Sequence, residues 1–215
     1  MNFIAGYQQV ASQKDYIKLI IANVINRFGD SVDMIAFSWM VYEITASPSW
    51  VAVIFGVNAV PSILFQPFAG ALVERWDKKK VMVLCDIGRG VSVGMTAALF
   101  IYGMLTPWLL LLFTFANSSF EAFRIPAGLS LVPKVLDKDK YTHGTSLNAT
   151  LSRLTEIIGL AAGGAIIGLF GVGVGILIDA ATFLGSAFVI SLVKYKEINR
   201  NRDKLNVHDY FVTLR

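Results

Sequence analysis

The sequence predicts an all-α membrane protein with six transmembrane helices, and three observations predict it. Of 215 residues, 55% are hydrophobic and only 16% charged, whereas a soluble domain carries about a quarter charged residues. The apolar residues fall in runs long enough to cross a bilayer core, which takes about 20 residues as a helix. The connections between runs also alternate between strongly basic and free of Lys and Arg. A soluble helical bundle has no reason to sort its charge in that way.

The runs place helices over residues 17–44, 50–73, 81–104, 107–132, 144–170 and 172–193. Pro48, Pro107 and Pro133 punctuate the ends. Pro61, Pro67 and Pro126 lie inside spans, where a kink is tolerated if neighbours satisfy the backbone. The segments "TASPS", "GMLTP" and "FGVG" carry no Lys or Arg. The opposite side carries Lys14, Lys18, "ERWDKKK", "PKVLDKDK" and "KYKEINRNRDK". Of the 19 basic residues, all but Arg27, Arg89, Arg124 and Arg153 lie on that side. The positive-inside rule makes it cytoplasmic, with both termini inside. Residues 1–16 then form a cytoplasmic N-terminus, 17–193 a six-helix domain, and 194–215 a basic tail or the start of a linker. The first 15 residues lack the apolar core of a signal peptide, so the first span is expected to remain in the mature protein.

Several function classes are excluded by residue type. Cys85 is the single cysteine, which rules out an internal disulfide framework and a multi-cysteine metal site. The two histidines, His143 and His208, are far apart in sequence. No His-Glu-x-x-His, Gly-x-Ser-x-Gly or phosphate-loop pattern occurs. An enzyme, a metal or a cofactor is therefore not expected. Topology already explains the basic loops, so nucleic acid is not expected either; anionic lipid is.

Charges within the spans carry the chemistry. Arg27 has Asp30 three positions away, Arg89 has Asp86, Arg124 has Glu121, and Arg153 has Glu156. Residues three apart share a helix face, so four intrahelical ion pairs are expected, which serve equally well to orient helices. Asp33 and Asp179 have no such partner. A carboxylate removed from water without a counter-charge can exchange protons near neutral pH, the physical requirement for proton coupling. On a helical projection, Asn23, Asn26, Asp30 and Asp33 fall within about 80° of one another, opposite Ile21, Ile25, Phe28, Val32, Ile35 and Trp39. Asp30 and Asp33 lie roughly 20 to 24 Å along the first span, at the depth where transporters hold substrate and coupling ions. Span five contains Gly159, Gly163, Gly164 and Gly168 at spacings that allow close helix approach.

Between spans two and three, "GALVERWDKKK" resembles the signature loop of the major facilitator superfamily, Gly-x-x-x-Asp-Arg-x-Gly-Arg-Arg/Lys. Gly70, Arg75 and Lys79 match. Glu74 stands for the Asp, and Asp77 for the second Gly, at a turn whose left-handed backbone Asp tolerates. The stretches "FGDSVDMIAFSWMVYEITAS", "RIPAGLSLVPKVL" and "EIIGLAAGGAIIG" resemble the macrolide-exporter and enterobactin-exporter branch. The last is similar to the antiporter motif Gly-Pro-x-x-Gly-Gly, with Leu160 at the proline position.

The resemblance implies a six-helix half, built of 3+3 inverted repeats, of a twelve-helix transporter. It further implies proton-coupled efflux of hydrophobic or cationic small molecules across the plasma membrane. In that reading Asp30 and Asp33 meet protons and substrate, Arg27 tunes Asp30, and Asn26, Asp179 and Glu156 complete the cavity. The loop around Glu74 would latch against a second half, either a missing C-terminal half or another copy. The alternative is a truncated, non-transporting remnant, or a half that acts only as an assembled oligomer.

Overall fold

The computed structural model describes residues 8–195. After a helical turn at residues 8–11 come six long helices: α1 (Lys14–Thr45), α2 (Pro48–Arg75), α3 (Lys78–Ile101), α4 (Pro107–Val135), α5 (Tyr141–Phe170) and α6 (Val172–Ser191). A 3₁₀ turn at Lys138–Lys140 leads into α5. No strand occurs among the described residues. The expected tail lies outside the described residues beyond Tyr195.

Local chemistry sets the helix ends. Pro48 and Pro107 occupy first-turn positions of α2 and α4, where a missing N–H costs nothing. Thr106 caps α4 by accepting from the Leu109 amide. Ala46 ends α1 in the left-handed conformation, φ 49°. Pro133 differs from expectation: it lies inside α4, which runs two residues beyond it. Asp77 differs too. Its φ of −67° is not left-handed; the residue is extended and N-caps α3, accepting from the Lys79 and Lys80 amides. Aspartate suits that position because its carboxylate reaches the orphan amides of a first turn.

Four helical stretches are long and apolar enough to cross a membrane: α2, α3, residues 138–170 containing α5, and α6. The other two helices are equally long, but their middles are polar. Arg27, Asp30 and Asp33 interrupt α1, while Asn117, Ser118, Ser119, Glu121 and Arg124 interrupt α4. The six expected spans thus divide into four that composition alone supports and two that carry polar chemistry.

The helices pack in the order α2, α4, α3, α6, α1, α5, each chiefly against its neighbours in that series. Exchanging α1, α2, α3 for α4, α5, α6 leaves the series unchanged apart from its direction. This is the packing signature of two equivalent three-helix units. Glycine permits the tightest approaches. A Cβ on Gly29 would collide with Thr182 Oγ1 and fall 2.5 Å from Asp179 Oδ1, so the bare α1 backbone there receives side chains of α6. A Cβ on Gly159 would lie 2.7 Å from Ser31 Cβ, and one on Gly163 3.2 Å from Val32 Cα. Gly164 and Gly168 have nothing within 4 Å, so the expected packing role of Gly164 does not hold in this bundle. It lies one residue, about 100°, off the face that meets α1.

Two apolar cores result. One gathers Tyr16, Leu19, Val73, Met82, Leu131 and Ile190; the other gathers Met40, Ile54, Ala97, Leu110, Ile176 and Phe183. Along α1 the first ends at Ala22 and the second begins at Ala36. The polar residues between them form a layer across the bundle.

Replacing Gly29 with Ala should destabilise the bundle by about 1–3 kcal/mol through overpacking, whereas Gly164→Ala should be neutral or slightly stabilising; thermal unfolding in detergent separates the two. Asp77→Ala should cost about 1 kcal/mol through loss of the cap. Burial raises the Asp77 carboxyl, but the Tyr195 phenol and the Lys80 and Lys79 amides outweigh it and hold the group below the usual carboxylate range. Its contribution is therefore complete above the unfolded-state value near ~4 and disappears as pH falls through the folded value. Tm of the native chain and of Asp77→Ala should converge in that acid window.

Candidate functional site

The polar layer is built around two arginines, and neither pairs within its own helix. Arg124 of α4 donates through Nε to Asp86 of α3. Arg89 of α3 donates through Nη2 to Asp30 of α1 at 3.0 Å and through Nε to Asn117 of α4 at 3.2 Å. Glu121 of α4 lies 4.0 Å from Arg89. The Arg89 guanidinium also sits 4.0 Å over the Phe183 ring of α6, a cation–π contact strengthened by burial.

Three of the four expected intrahelical pairs are therefore replaced by contacts between helices. Arg27 is exposed, and no ion pair joins it to Asp30 among the described residues. Asp86 and Arg89 part to different partners, as do Glu121 and Arg124. Each shares a face with its neighbour three positions away, but that face points into the bundle, where facing helices offer more direct geometry. Only Arg153 and Glu156 pair as expected, at 2.9 Å, on the exposed side of α5. There no neighbouring helix competes.

Asp86 is fully engaged. Besides Arg124, it accepts from Asn26 of α1 at 3.3 Å and from Ser186 of α6 at 2.7 Å, and its side chain is completely buried. Asn26 also reaches Ser186, at 3.4 Å. Asn23 accepts from Arg124 at 3.4 Å and donates to Asn148 of α5 at 3.2 Å. Asp86 is thus satisfied on both oxygens in a structural knot, although Asn26 Oδ1 beside it has no partner among the described residues.

Asp33 stands in contrast. Its Oδ1 is sealed from solvent and has no hydrogen-bond partner among the described residues. Asp179, buried on α6, receives only the Thr182 hydroxyl at 3.3 Å, and that hydroxyl lies closer to the Asp179 carbonyl oxygen, at 2.7 Å. Asp179 lies against α1 at Gly29, the residue before Asp30. The layer holds five carboxylates, Asp30, Asp33, Asp86, Glu121 and Asp179, around Arg89 and Arg124. That surplus of negative charge can be met by protons or by a cationic ligand.

The signature-loop residues lie apart from this layer. Gly70 has open space around it, Glu74 and Arg75 are exposed, and the Glu74 carbonyl accepts from Lys78 Nζ at 2.7 Å. Asp77 takes a 2.5 Å hydrogen bond from the Tyr195 hydroxyl. Gly29, Thr182, Phe183 and Ser186 were not singled out from the sequence. Asp179, Thr182 and Ser186 recur at helical spacing, a signal that was there to read. Gly29 gave none, because its role depends on which helix approaches it.

A family profile described as "Transmembrane secretion effector" matches residues 9–212. The chain belongs to this family of the major facilitator superfamily. It is 26% identical over 184 residues to the MFS-type transporter YkuC of Bacillus subtilis, covering 84% of this chain and 42% of that protein. BacE of Bacillus amyloliquefaciens, whose name assigns it provisionally to bacilysin export, is 36% identical over 146 residues, covering 66% and 36%. Macrolide efflux protein A of Streptococcus pyogenes is 22% identical over 139 residues, covering 65% and 34%. The chain thus spans less than half the length of these relatives. Membership of the superfamily, with the apolar helices, makes it a multi-pass membrane protein.

Asp86→Asn and Asp33→Asn separate the two kinds of carboxylate. Breaking the buried Asp86–Arg124 pair should cost about 3–5 kcal/mol, seen as a large fall in Tm in detergent. Asp33→Asn, at a group with no ion pair to lose, should leave Tm within a few degrees.

Proposed function

We propose that this chain is one six-helix half of a secondary exporter, with both ends facing the cytoplasm of the cell that makes it. The exporter moves hydrophobic or cationic small molecules out across the plasma membrane in exchange for protons. The observation that carries this reading is the unmatched Asp33 Oδ1 beside the Asp30–Arg89 pair and Asp179. Ionisable groups at membrane depth mark ion and substrate paths, and the Asp86 knot supplies a rigid frame for them.

In this mechanism Asp33 and Asp179 hold and release the proton. Asp30 is positioned by Arg89 and meets the substrate cation when the proton leaves. Arg27 and the Arg153–Glu156 pair are charged groups that lipid could not cover, and they suit the wall of a water-filled cavity. A second six-helix unit closes that cavity, and rocking of one unit on the other alternates access. The names of the efflux relatives support the direction of transport. The exposed Arg27 and Arg153, which need protein or water beside them, also fit a second reading, in which this unit works only when assembled with another copy or remains inactive.

The test is efflux of a fluorescent amphipathic cation from vesicles containing the assembled protein, driven by an imposed pH gradient. Asp33→Asn should abolish gradient-driven efflux, with insertion and Tm unchanged. Full efflux in that variant would remove Asp33 from the coupling step. No transport by the native chain in any assembly would favour the inactive reading.

A further inference from the structure

At the end of the bundle where α1 begins, a polar cleft of about 640 Å³ opens between the start of α1, the end of α4 and the residues after α6. Lys14, Lys134, Lys138 and Lys194 line it, together with Asp15 and Asp137. The two carboxylates are already committed. Asp15 accepts from Lys18 Nζ at 2.8 Å and from the Lys194 amide at 2.9 Å, which hold it below the usual carboxylate range. Asp137 accepts from Lys140 Nζ at 2.8 Å and from Gln13 at 2.6 Å, with the same effect. Lys14, Lys138 and Lys194 have no carboxylate at ion-pair distance among the described residues, although the Lys194 charge acts on Asp15 from farther away. The Lys134 ammonium lies over the Tyr195 ring, 5.5 Å from its centroid.

The surroundings are amphipathic. Leu184, Phe188 and Leu192 form an exposed apolar column along α6, at four-residue spacing, that ends two residues before Lys194. An acyl chain lying on that column would end beside Lys194.

We propose that this cleft binds the phosphate headgroup of an anionic phospholipid, with Lys14, Lys138 and Lys194 as the recognising cations. Basic pockets between membrane helices take such headgroups. A lipid seated there contacts α1, α4 and the segment after α6 at once. These are the parts that Gln13–Asp137 and Lys18–Leu192 already tie together, so occupancy should favour the arrangement seen here. The inference does not depend on what the bundle transports.

The experiment places the full chain in nanodiscs of mixed phosphatidylglycerol and phosphatidylcholine, followed by native mass spectrometry of the released protein. The native chain should retain phosphatidylglycerol in preference to phosphatidylcholine. The variant Lys14→Gln/Lys138→Gln/Lys194→Gln should lose at least about tenfold of that retention. Arg75→Gln/Lys79→Gln/Lys80→Gln, which removes equal charge from the other basic loop, should keep it. Equal loss in both triple variants, or equal retention of the two lipids, would overturn the site. Displacement of the lipid by millimolar inorganic phosphate would assign the cleft to free phosphate and overturn the lipid reading. Circular dichroism checks folding, and Lys138→Gln alone carries the same test if the triple variant is not recovered.

Discussion

Four of the six helices meet at one carboxylate. Asp86 stands on α3 and receives hydrogen bonds from Asn26 on α1, Arg124 on α4 and Ser186 on α6. An ionised group buried in this way is tolerated only when its lone pairs are met by donors of fixed geometry. Its burial therefore dictates where those three helices stand. α2 and α5 are outside the knot. They lie at the two ends of the packing series, α2 held by aromatic contacts such as Phe65 with Phe123, α5 by the Gly159 and Gly163 seam. The centre of the bundle is set by polar geometry and its flanks by shape.

The same layer contains carboxylates in two conditions. Asp86 is met by donors from three other helices. Asp33 has a buried oxygen with no partner, and Asp179 has one weak hydroxyl contact. A site that must gain and lose a proton needs a group whose two states are closely balanced, next to a frame that does not move when they exchange. In the proposed exporter, Asp33 and Asp179 are that group and the contacts of Asp86 are that frame. Arg89 links them, holding Asp30 while resting on Phe183.

Carboxylates also organise the end of the bundle where α1 begins. Asp77 caps α3 and accepts from Tyr195, Asp15 ties Lys18 to the residues after α6, and Asp137 joins Gln13 to Lys140. Helix termini leave amides unpaired, and short acidic side chains are the least costly way to satisfy them. Asp77 serves in this way, whereas Asp15 and Asp137 are taken up by Lys18, Lys140, Gln13 and the Lys194 amide.

The sequence by itself determined the helices, their ends to within about three residues, the alternation of basic loops and the face of α1 that carries Asn23, Asn26, Asp30 and Asp33. These follow from local rules, since apolar length, proline position and helical period act within one segment. It also marked Asp33 and Asp179 as the acids without a near partner. Only the tertiary structure decided the pairing. Asp86 and Arg89 look like a pair on paper because they are three residues apart, yet each finds a better partner on another helix. Gly29 and Gly164 are alike as letters, and they differ because α6 presses on one and nothing presses on the other. A linear pattern shows which groups face inward. What they meet there depends on the helices packed opposite, and no single segment contains that information.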